Sequence, residues 1–277
     1  MPFITLTSDI GTHDYLIGAI KGQIVQSIPG AIIADLNHHL SSSNYTRSAY
    51  LTRPAIKHFP GKSVHIILLN MFEQKPAHLL LARHGDQYFA CADNGFLPLV
   101  LESQPDEVVA LPLSKTQPKN LLYCTEVMVQ AISRLQAGKP LSAIGETDVQ
   151  IISKNPLKPT VGTDWIEGQI IFIDQFENVV VNITRDDFEN QRNGRRFSIE
   201  FRRDEIIDKI SETYADVPEG EKLALFNSAG YLEIAINSGN AAGLFGLRNF
   251  SDKMQTPNQQ QVLDNQLLYQ TIKVFFE

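Results

Sequence analysis

The sequence opens with the stretch that decides the fold, ITLTSD at residues 4–9, followed by Gly11 and Asp14. The apolar run with alternating threonines ends on an acidic residue, and a helical pattern begins after it. In an open α/β sheet this order places Asp9 at the carboxyl end of the first strand, the edge where such sheets bind ligands. A carboxylate there suits a pair of ribose hydroxyls, because it accepts hydrogen bonds from both. The same residues also fit a simpler helix-capping turn, with Thr12 or Asp14 as the N-cap.

Composition bounds the class of protein. A chain of 277 residues exceeds the usual single domain, so we expect two domains. A net charge of −7 argues against general nucleic-acid binding, since no basic stripe is available for phosphates. The two cysteines, Cys91 and Cys124, fit a reducing compartment. The apolar stretches are too short for a bilayer, and no secretory signal precedes the first strand. We therefore expect a cytoplasmic protein without a membrane partner.

Strand and helix patterns alternate in the first half of the chain, which predicts an α/β domain over residues 1–153. The predicted strands are 3–8, 31–36, 63–69, 78–83 and 87–92. The predicted helices are 14–28, 44–59 and 120–135, with a shorter apolar helix after residue 95. Pro54 predicts a break in the second helix, because proline removes an amide donor and clashes with the preceding turn. The alternation favours a mostly parallel sheet with helices on both faces.

Composition changes at residues 154–163, KNPLKPTVGT, where prolines and a glycine favour an extended linker. Short β-like segments follow, at residues 165–173, 178–183, 196–201, 222–226, 231–236 and 267–276. We therefore expect residues 164–277 to form a smaller all-β domain, a β-barrel.

Two motifs resemble known ligand-binding patterns but do not match them. Gly61-Lys62-Ser63 imitates the end of a phosphate-binding loop, but the upstream position that requires glycine holds Ile56, and a strand follows instead of a helix. The adjacent pair at residues 38 and 39 makes a poor metal site, because neighbouring side chains point apart. No His/Cys spacing matches zinc, so no metal site is predicted.

Three polar clusters remain. The first is the Asp9 stretch, and the second is Asp93-Asn94-Gly95, where a strand stops at a turn before an apolar helix. The third lies in the β domain and comprises residues 174–178 with Asn182, 227–235, and 239–242. Amides and hydroxyls beside small residues can recognise the edge of a purine, although turns and bulges use the same residue types.

Together these clusters resemble one family, the S-adenosylmethionine hydroxide adenosyltransferases (hydrolases), related to the fluorinases and chlorinases. The resemblance extends from Ile4 to about Leu247. It rests on ordered motifs: TSD-x-G-x-x-D at 7–14, Lys21-Gly22, D-x-x-H at 35–38, FPG at 59–61 with Val64, DNG at 93–95, D-x-F-x-N-x-x-x-N at 174–182, and NS-x-G-x-LEIA at 227–235.

The resemblance implies an N-terminal α/β domain, a C-terminal β-barrel, and homotrimers with ligand sites at subunit interfaces. It implies that Asp9 binds the ribose hydroxyls and that Asp14 shapes the same pocket, with Asp93 and Asn94 also contacting substrate. It further implies that Asp174 and Asn178 bind the methionine end of the ligand. The implied adenine contacts are Asn227, Ser228, Tyr231, Asn240 and Ala241. S-adenosylmethionine is then the substrate or ligand, and no cofactor is implied.

The chain departs from the family at the residues that activate water. Asn70 occupies the position of an aspartate, His78 that of an arginine, and Tyr123 that of a histidine. Asn70 cannot accept a proton as a base, and tyrosine with its ordinary pKa near 10 is a poor base at neutral pH. The segment Tyr123 to Glu126 is closer to the halogenases, but their long insertion before the DNG turn is missing and Cys124 is a weak hydrogen-bond donor.

Two functional hypotheses follow. In the first, the protein cleaves S-adenosylmethionine at C5′ of the ribose to give adenosine and methionine, and His78, Tyr123 and Glu126, with Asn70 beside them, replace the water-activating residues. In the second, the protein keeps the pocket and binds or senses an adenosine compound without catalysis. Turnover by pure protein discriminates the two.

Overall fold

The computed structural model describes residues 2–202, 205–247 and 270–277. The chain divides into two compact units, Met1–Pro156 and Leu157–Glu277. The division lies inside the proline-containing segment 154–163.

The first unit is built on a six-stranded sheet. Its strands are β1 (Phe3–Ser8), β2 (Ile32–Asn37), β3 (Val64–Leu68), β4 (His78–His84), β5 (Gln87–Ala92) and β6 (Glu107–Pro112). Its helices are α1 (Leu16–Ser27), α2 (Tyr45–Ile56), α3 (Phe96–Leu101) and α4 (Leu121–Gln136), with a 3₁₀ turn at Leu141–Ala143.

The strand order is β2-β1-β3-β5-β4-β6. β1 runs parallel to β2 and β3, and β3 runs parallel to β5, whereas β4 is antiparallel to β5 and β6. The prediction of a mostly parallel sheet is confirmed. Because β1, β3 and β5 run the same way, their carboxyl ends meet at one edge, and the reversed β4 begins at that edge.

Helices cover both faces of this sheet, as predicted. Side chains alternate across each strand, so Leu79 and Leu81 of β4 join one buried cluster while Leu80 and Ala82 join the other. The first cluster includes residues of α1 and α4, and the second includes residues of α2 and α3. The sheet is therefore the middle layer, and its polar edge is what remains available for a ligand.

The predicted break in α2 is wrong. The helix runs unbroken from Tyr45 to Ile56 with Pro54 inside it. The Asn44 side chain caps its start by accepting the amide of Arg47. Pro54 lies in the last turn, so the missing amide falls where the helix is about to end, and the proline terminates the helix instead of dividing it.

The second unit forms a nine-stranded, nearly closed, barrel-like sheet, which confirms the predicted β-barrel class. Its strands are β7 (Thr160–Val161), β8 (Trp165–Ile173), β9 (Val179–Thr184), β10 (Phe197–Arg202), β11 (Glu205–Ile207), β12 (Ile210–Ser211), β13 (Lys222–Phe226), β14 (Tyr231–Ile236) and β15 (Thr271–Phe276). The order is β11-β10-β15-β8-β9-β14-β13-β12 with β7 on β8, and β11 contacts β13 near the closure. Residues 267–269, predicted as the start of the last strand, lie outside the described residues.

One helix of the second unit, α5 (Arg185–Arg192), follows β9 and was not predicted. It begins with a capping box, in which the Thr184 side chain accepts the amide of Asp187 and the Asp187 carboxylate accepts the amide of Thr184. Phe188 anchors the helix in the barrel core. The threonine and aspartate spacing is a helix-start signal that was available in the sequence.

Candidate functional site

The candidate site of the first unit is the sheet edge where β1, β3 and β5 end. Oδ2 of Asp9, after β1, accepts the backbone amide of Asn70 at 2.8 Å. Nδ2 of Asn94, after β5, donates to the carbonyl of Leu69 at 2.8 Å. Asn70 has φ +46°, a left-handed conformation that asparagine tolerates better than most residues. The side chains of Asp9, after β1, and Asn94, after β5, therefore both bind the turn that follows β3.

The carboxylate of Asp9 lies in a partly buried position. Burial raises the pKa of Asp9, and hydrogen bonds from the amides of Asn70 and of Asp9 itself oppose that rise without cancelling it. A carboxylate that has lost much of its water gains more from ligand hydroxyls than an exposed one does, because an unmade hydrogen bond in a buried site is costly.

A polar chain supports the segment that carries Asp9. Oγ of the buried Ser8 lies 2.8 Å from Nδ1 of His38, and Nε2 of His38 lies 3.2 Å from Oδ1 of Asp35. Nζ of Lys21 donates to Asp35 at 2.6 Å. Burial would raise the pKa of Asp35, but hydrogen bonds and charge from Lys21 and His38 outweigh it and hold the pKa below its usual value. The D-x-x-H motif and Lys21 are thus joined in one network, which the sequence analysis did not identify.

His38 also positions the turn through its backbone. Its carbonyl accepts the amide of Gly11 at 2.7 Å, and Gly11 has φ +79°, which favours glycine. The carboxylate of Asp14 accepts the amide of Leu16 at 2.9 Å, at the start of α1. Asp14 is exposed there and precedes Tyr15, the N-cap residue of α1. Its predicted role in shaping a ligand pocket stays a prediction.

The loop after β3 forms one wall of a pocket of about 250 Å³. Its charged and titratable lining residues are Glu73, Lys75, His78, Asp93 and Lys154. The other lining residues are Asn70, Met71, Gln74, Pro76, Ala77, Ala92, Asn94 and Ile152. The pocket thus adjoins the strand ends and contains groups of both charges.

One wall of this pocket is fixed by a second polar cluster. The Tyr45 hydroxyl donates to Glu73 at 3.0 Å and accepts from Nδ2 of Asn70 at 3.1 Å. Lys154 pairs with Glu73 at 3.3 Å and lies 3.9 Å from the centre of the Tyr45 ring. A Cβ added to Gly95 would lie 2.6 Å from Cγ of Lys154, so this glycine permits the close approach of the lysine. The side-chain amide of Asn70 therefore helps to hold this wall of the pocket in place.

The pocket lining also includes a histidine–aspartate pair. Nε2 of His78 lies 3.1 Å from Oδ2 of Asp93, and Oδ1 of Asp93 accepts the amide of Ile152 at 2.8 Å. The Asp93 side chain is 9% exposed and that of His78 is 30% exposed. Both residues were predicted site residues, but their pairing was not predicted.

The structure does not bring Tyr123 and Glu126 to the lining of this pocket. The Tyr123 hydroxyl accepts the amide of Ser114 at 2.8 Å, which ties the first turn of α4 to the segment after β6. Glu126 is exposed and accepts from Gln130 at 3.2 Å. Cys124, between them, is buried, and burial raises the pKa of its thiol. The predicted catalytic roles of Tyr123 and Glu126 stay predictions.

In the second unit the D-x-F-x-N residues form a tight turn between β8 and β9. Oδ1 of Asp174 accepts the amides of Phe176 and Asn178, and Oδ2 accepts Nδ2 of Asn178 at 3.0 Å. Phe176 is 68% exposed at the tip of the turn. Asp174 and Asn178 are thus brought together, in the arrangement that turn chemistry also predicts.

The NS-x-G motif forms the turn between β13 and β14. Oδ1 of Asn227 accepts the amides of Ala229 and Tyr231, and its Nδ2 donates to Glu233 at 3.2 Å. Ser228 lies within the same turn. Oδ1 of Asn240 accepts the amide of Gly243 at the 3₁₀ turn Ala242–Phe245. Ala241 is fully buried beside it.

Glu233 is a site residue that the sequence analysis quoted in the motif but did not single out. It is buried, with an exposure of 3%. The Tyr214 hydroxyl donates to its Oε1 at 2.6 Å. Burial and the charge of Asp174 raise the pKa of Glu233, against hydrogen bonds from Tyr214 and Asn227. Glu233 thus fixes the orientation of the Asn227 amide.

Across residues 2–202, 205–247 and 270–277, three or more His, Cys, Asp or Glu side chains are nowhere grouped so that they could hold a metal ion. In the same described part of the chain, no helix has the length and apolar character needed to cross a membrane.

Comparisons with known proteins place these features in one family. Models of the N-terminal and C-terminal domains of SAM hydroxide adenosyltransferases match residues 4–145 and 168–252. An (R)-S-adenosyl-L-methionine hydrolase from Thermus thermophilus is 27% identical over 87% of this chain and 94% of its own length. A fluorinase from an Actinoplanes species is 26% identical over 89% of this chain and 95% of its own.

A solved structure shows the same fold. The crystal structure of an uncharacterised conserved protein from Thermotoga maritima superposes with a TM-score of 0.77 at 23% identity, and covers 98% of this chain and 99% of its own. Both domain models match in order and together span most of the sequence, so the chain belongs to the SAM hydroxide adenosyltransferase family.

Proposed function

We propose that the protein binds S-adenosylmethionine and cleaves it at C5′ of the ribose, with water as the nucleophile, to give adenosine and methionine. The observation that carries this proposal is the partly buried carboxylate of Asp9, held at the strand ends by Asn70 beside a pocket with charged walls. A sulfonium is a good leaving group, so little acid catalysis is needed. The barrier lies in desolvating and aligning the nucleophile.

The proposed ligand contacts follow the family motifs. Asp9 binds the ribose hydroxyls, and Asp14, Asp93 and Asn94 belong to the same half of the site. The proposed contacts of a neighbouring subunit lie in its β unit. Those to methionine are Asp174 and Asn178, and those to adenine are Asn227, Ser228, Tyr231, Asn240 and Ala241. The buried Glu233 supports the adenine contacts, because it orients the Asn227 amide. The protein acts as a cytoplasmic homotrimer with interfacial sites and uses no cofactor beyond the substrate.

A second candidate function is binding of an adenosine compound without cleavage. It is favoured by the engagement of two of the substituted residues in structural hydrogen bonds. Nδ2 of Asn70 donates to Tyr45, and the Tyr123 hydroxyl accepts from the amide of Ser114. The side-chain amide of Asn70 cannot accept a proton as a base.

The test is incubation of the pure protein with S-adenosylmethionine, with adenosine and methionine quantified against a no-enzyme control. We expect both products in equal amounts. Calorimetry with S-adenosylmethionine, adenosine and methionine accompanies it. Saturable binding without product above the control would establish the binding protein and rule out the hydrolase.

A further inference from the structure

We propose that His78 and Asp93 are the proton-accepting pair of the reaction, with His78 as the general base and Asp93 as the positioning residue that orients it. This inference rests on the proposed cleavage of S-adenosylmethionine by water. It changes the expected role of Asp93 from a substrate contact to a support of the base.

The pairing follows from strand register. β4 and β5 are antiparallel, with Leu79 facing Ala92 and Leu80 facing Cys91. One step beyond Leu79 and Ala92, the register brings His78 opposite Asp93, and their side chains meet at 3.1 Å. The paired strands thus bring the two residues together, with His78 at the start of β4 and Asp93 directly after the end of β5.

Asp93 selects one tautomer of the neutral histidine. A carboxylate only accepts hydrogen bonds, so Nε2 of His78 must carry the proton in their contact. The other oxygen, Oδ1, accepts the amide of Ile152 at 2.8 Å, which stops the carboxylate from rotating. The neutral imidazole therefore has its unprotonated nitrogen at Nδ1. A histidine oriented by a carboxylate in this way is the arrangement of a general base in unrelated hydrolases.

The surroundings fit proton transfer. His78 is 30% exposed, while Asp93 is 9% exposed, so the base can meet a water that its partner does not reach. Both residues line the pocket together with Asn70, and the other charged groups there are Glu73, Lys75 and Lys154. Glu73 and Lys154 form an ion pair with each other at 3.3 Å, separate from the pair of His78 and Asp93.

The step balances without any further reactant. The oxygen of water forms a bond to C5′ of S-adenosylmethionine, and the C5′–S bond breaks with its electron pair going to sulfur. The proton lost from the water passes to Nδ1 of His78 and then to solvent. The products are adenosine, neutral methionine thioether and one proton, and the positive charge of the sulfonium leaves with that proton.

The test compares His78→Gln and Asp93→Asn with wild type by turnover, binding and pH profile. General-base catalysis contributes roughly 10²- to 10⁴-fold, so we expect kcat to fall by about that factor in His78→Gln. Asp93→Asn keeps the acceptor for Ile152 but presents an NH₂ group to Nε2, which reverses the tautomer and should lower kcat similarly. We expect the affinity for S-adenosylmethionine to change less than about threefold, and the acidic limb of the pH–rate profile to disappear in His78→Gln.

The matched control lies at the other end of the same strand. His84 of β4 faces Asp106, with 3.8 Å between Nδ1 and Oδ1, at the edge away from the pocket. His84→Gln should cleave S-adenosylmethionine at the wild-type rate. Nitrogen NMR of the imidazoles adds a readout that does not need turnover: Nε2 of His78 should be protonated in wild type and Nδ1 in Asp93→Asn.

Each outcome decides the question. If the wild-type protein cleaves S-adenosylmethionine and either His78→Gln or Asp93→Asn keeps the wild-type kcat, the proposed roles of His78 and Asp93 are overturned. The proposed function still stands in that case. Loss of affinity together with kcat in Asp93→Asn shows a substrate contact and overturns the positioning role. An Nδ1-protonated His78 in wild type overturns the tautomer argument. A wild type that binds but never cleaves overturns the proposed function and the base role with it.

Discussion

Oδ2 of Asp9 and the backbone amide of Asn70 are joined by a hydrogen bond of 2.8 Å, so the ends of β1 and β3 are connected through a side chain beyond the last rung of their ladder. The bond engages one oxygen of the carboxylate before any ligand arrives. It also orients the carboxylate, so that less rotational freedom would be lost on binding the proposed ribose hydroxyls.

The first prediction concerns this carboxylate. We expect Asp9→Ala to weaken binding of an adenosine ligand by about 2 to 4 kcal/mol, since charge-assisted hydrogen bonds contribute roughly 1.5–3 kcal/mol each before desolvation is subtracted. Calorimetry with adenosine and with its 2′- and 3′-deoxy forms measures the effect. The deoxy ligands should lose affinity for wild type and much less for the variant. The exposed Asp148→Ala is the control, and unchanged adenosine affinity in Asp9→Ala would make Asp9 a turn residue only.

The second prediction tests the network under Asp9. Ser8 and His38 are both buried and lie 2.8 Å apart, so removing either leaves a polar group without its partner. We expect Ser8→Ala and His38→Ala each to lower the free energy of unfolding by roughly 1–3 kcal/mol, and the double variant to cost less than their sum. Urea unfolding of all four proteins gives the coupling. Strict additivity would mean that the two side chains do not act together.

A third prediction follows from His65 in β3. Burial lowers the pKa of His65 to about 4, while an imidazole in the unfolded chain has a pKa of about 6.5. The unfolded state therefore binds the proton first as the pH falls. The stability that the neutral histidine contributes is complete above pH 6.5 and is lost progressively down to about pH 4, by roughly 3 kcal/mol.

Denaturant unfolding at several pH values measures this loss. His65 contacts Phe59 and Phe89 through its ring, so His65→Phe keeps a similar ring in the core while it removes the titration. We expect a flatter stability curve between pH 4 and 6.5 in the variant. The exposed His58→Phe should keep the wild-type slope, and an identical slope in His65→Phe would assign the acid sensitivity to other groups.

The fourth prediction concerns Glu233. Its two oxygens accept from Tyr214 and Asn227, and an amide presents a donor to one of them. We expect Glu233→Gln to lower the free energy of unfolding by roughly 1–3 kcal/mol and to weaken adenosine more than methionine. Calorimetry and urea unfolding test the two parts, with the exposed Glu221→Gln as the control. Equal weakening of both ligands would separate Glu233 from the adenine contacts.

Much of the fold was predictable because local patterns determined it. The strands Phe3–Ser8, Trp165–Ile173, Lys222–Phe226 and Tyr231–Ile236 have the predicted bounds, since each is an apolar run ended by turn residues. Strand β6, with the sequence EVVALP, was not predicted. It lies at the edge of the sheet, where proline is tolerated.

The contacts of the candidate site were less predictable. The positions of Asp9, Asn70 and Asp93 after their strands follow from the alternation of strands and helices. The partnership of His78 with Asp93 depends on β4 running antiparallel to β5, and a single sequence does not give strand direction or order. The Ser8–His38 contact likewise joins two neighbouring strands through buried side chains, and it needs their relative register.

The reversal of β4 has a consequence for how this scaffold can diversify. The segment between β3 and β4 leaves and re-enters the sheet at one edge, so it can lengthen or shorten by insertion without moving a strand, and added length carries a small entropic cost. The strand itself has no such freedom, because a slip of one residue would turn His78 to the opposite face. Evolution can therefore reshape one wall around a different attacking molecule while the pleat preserves the orientation of the other.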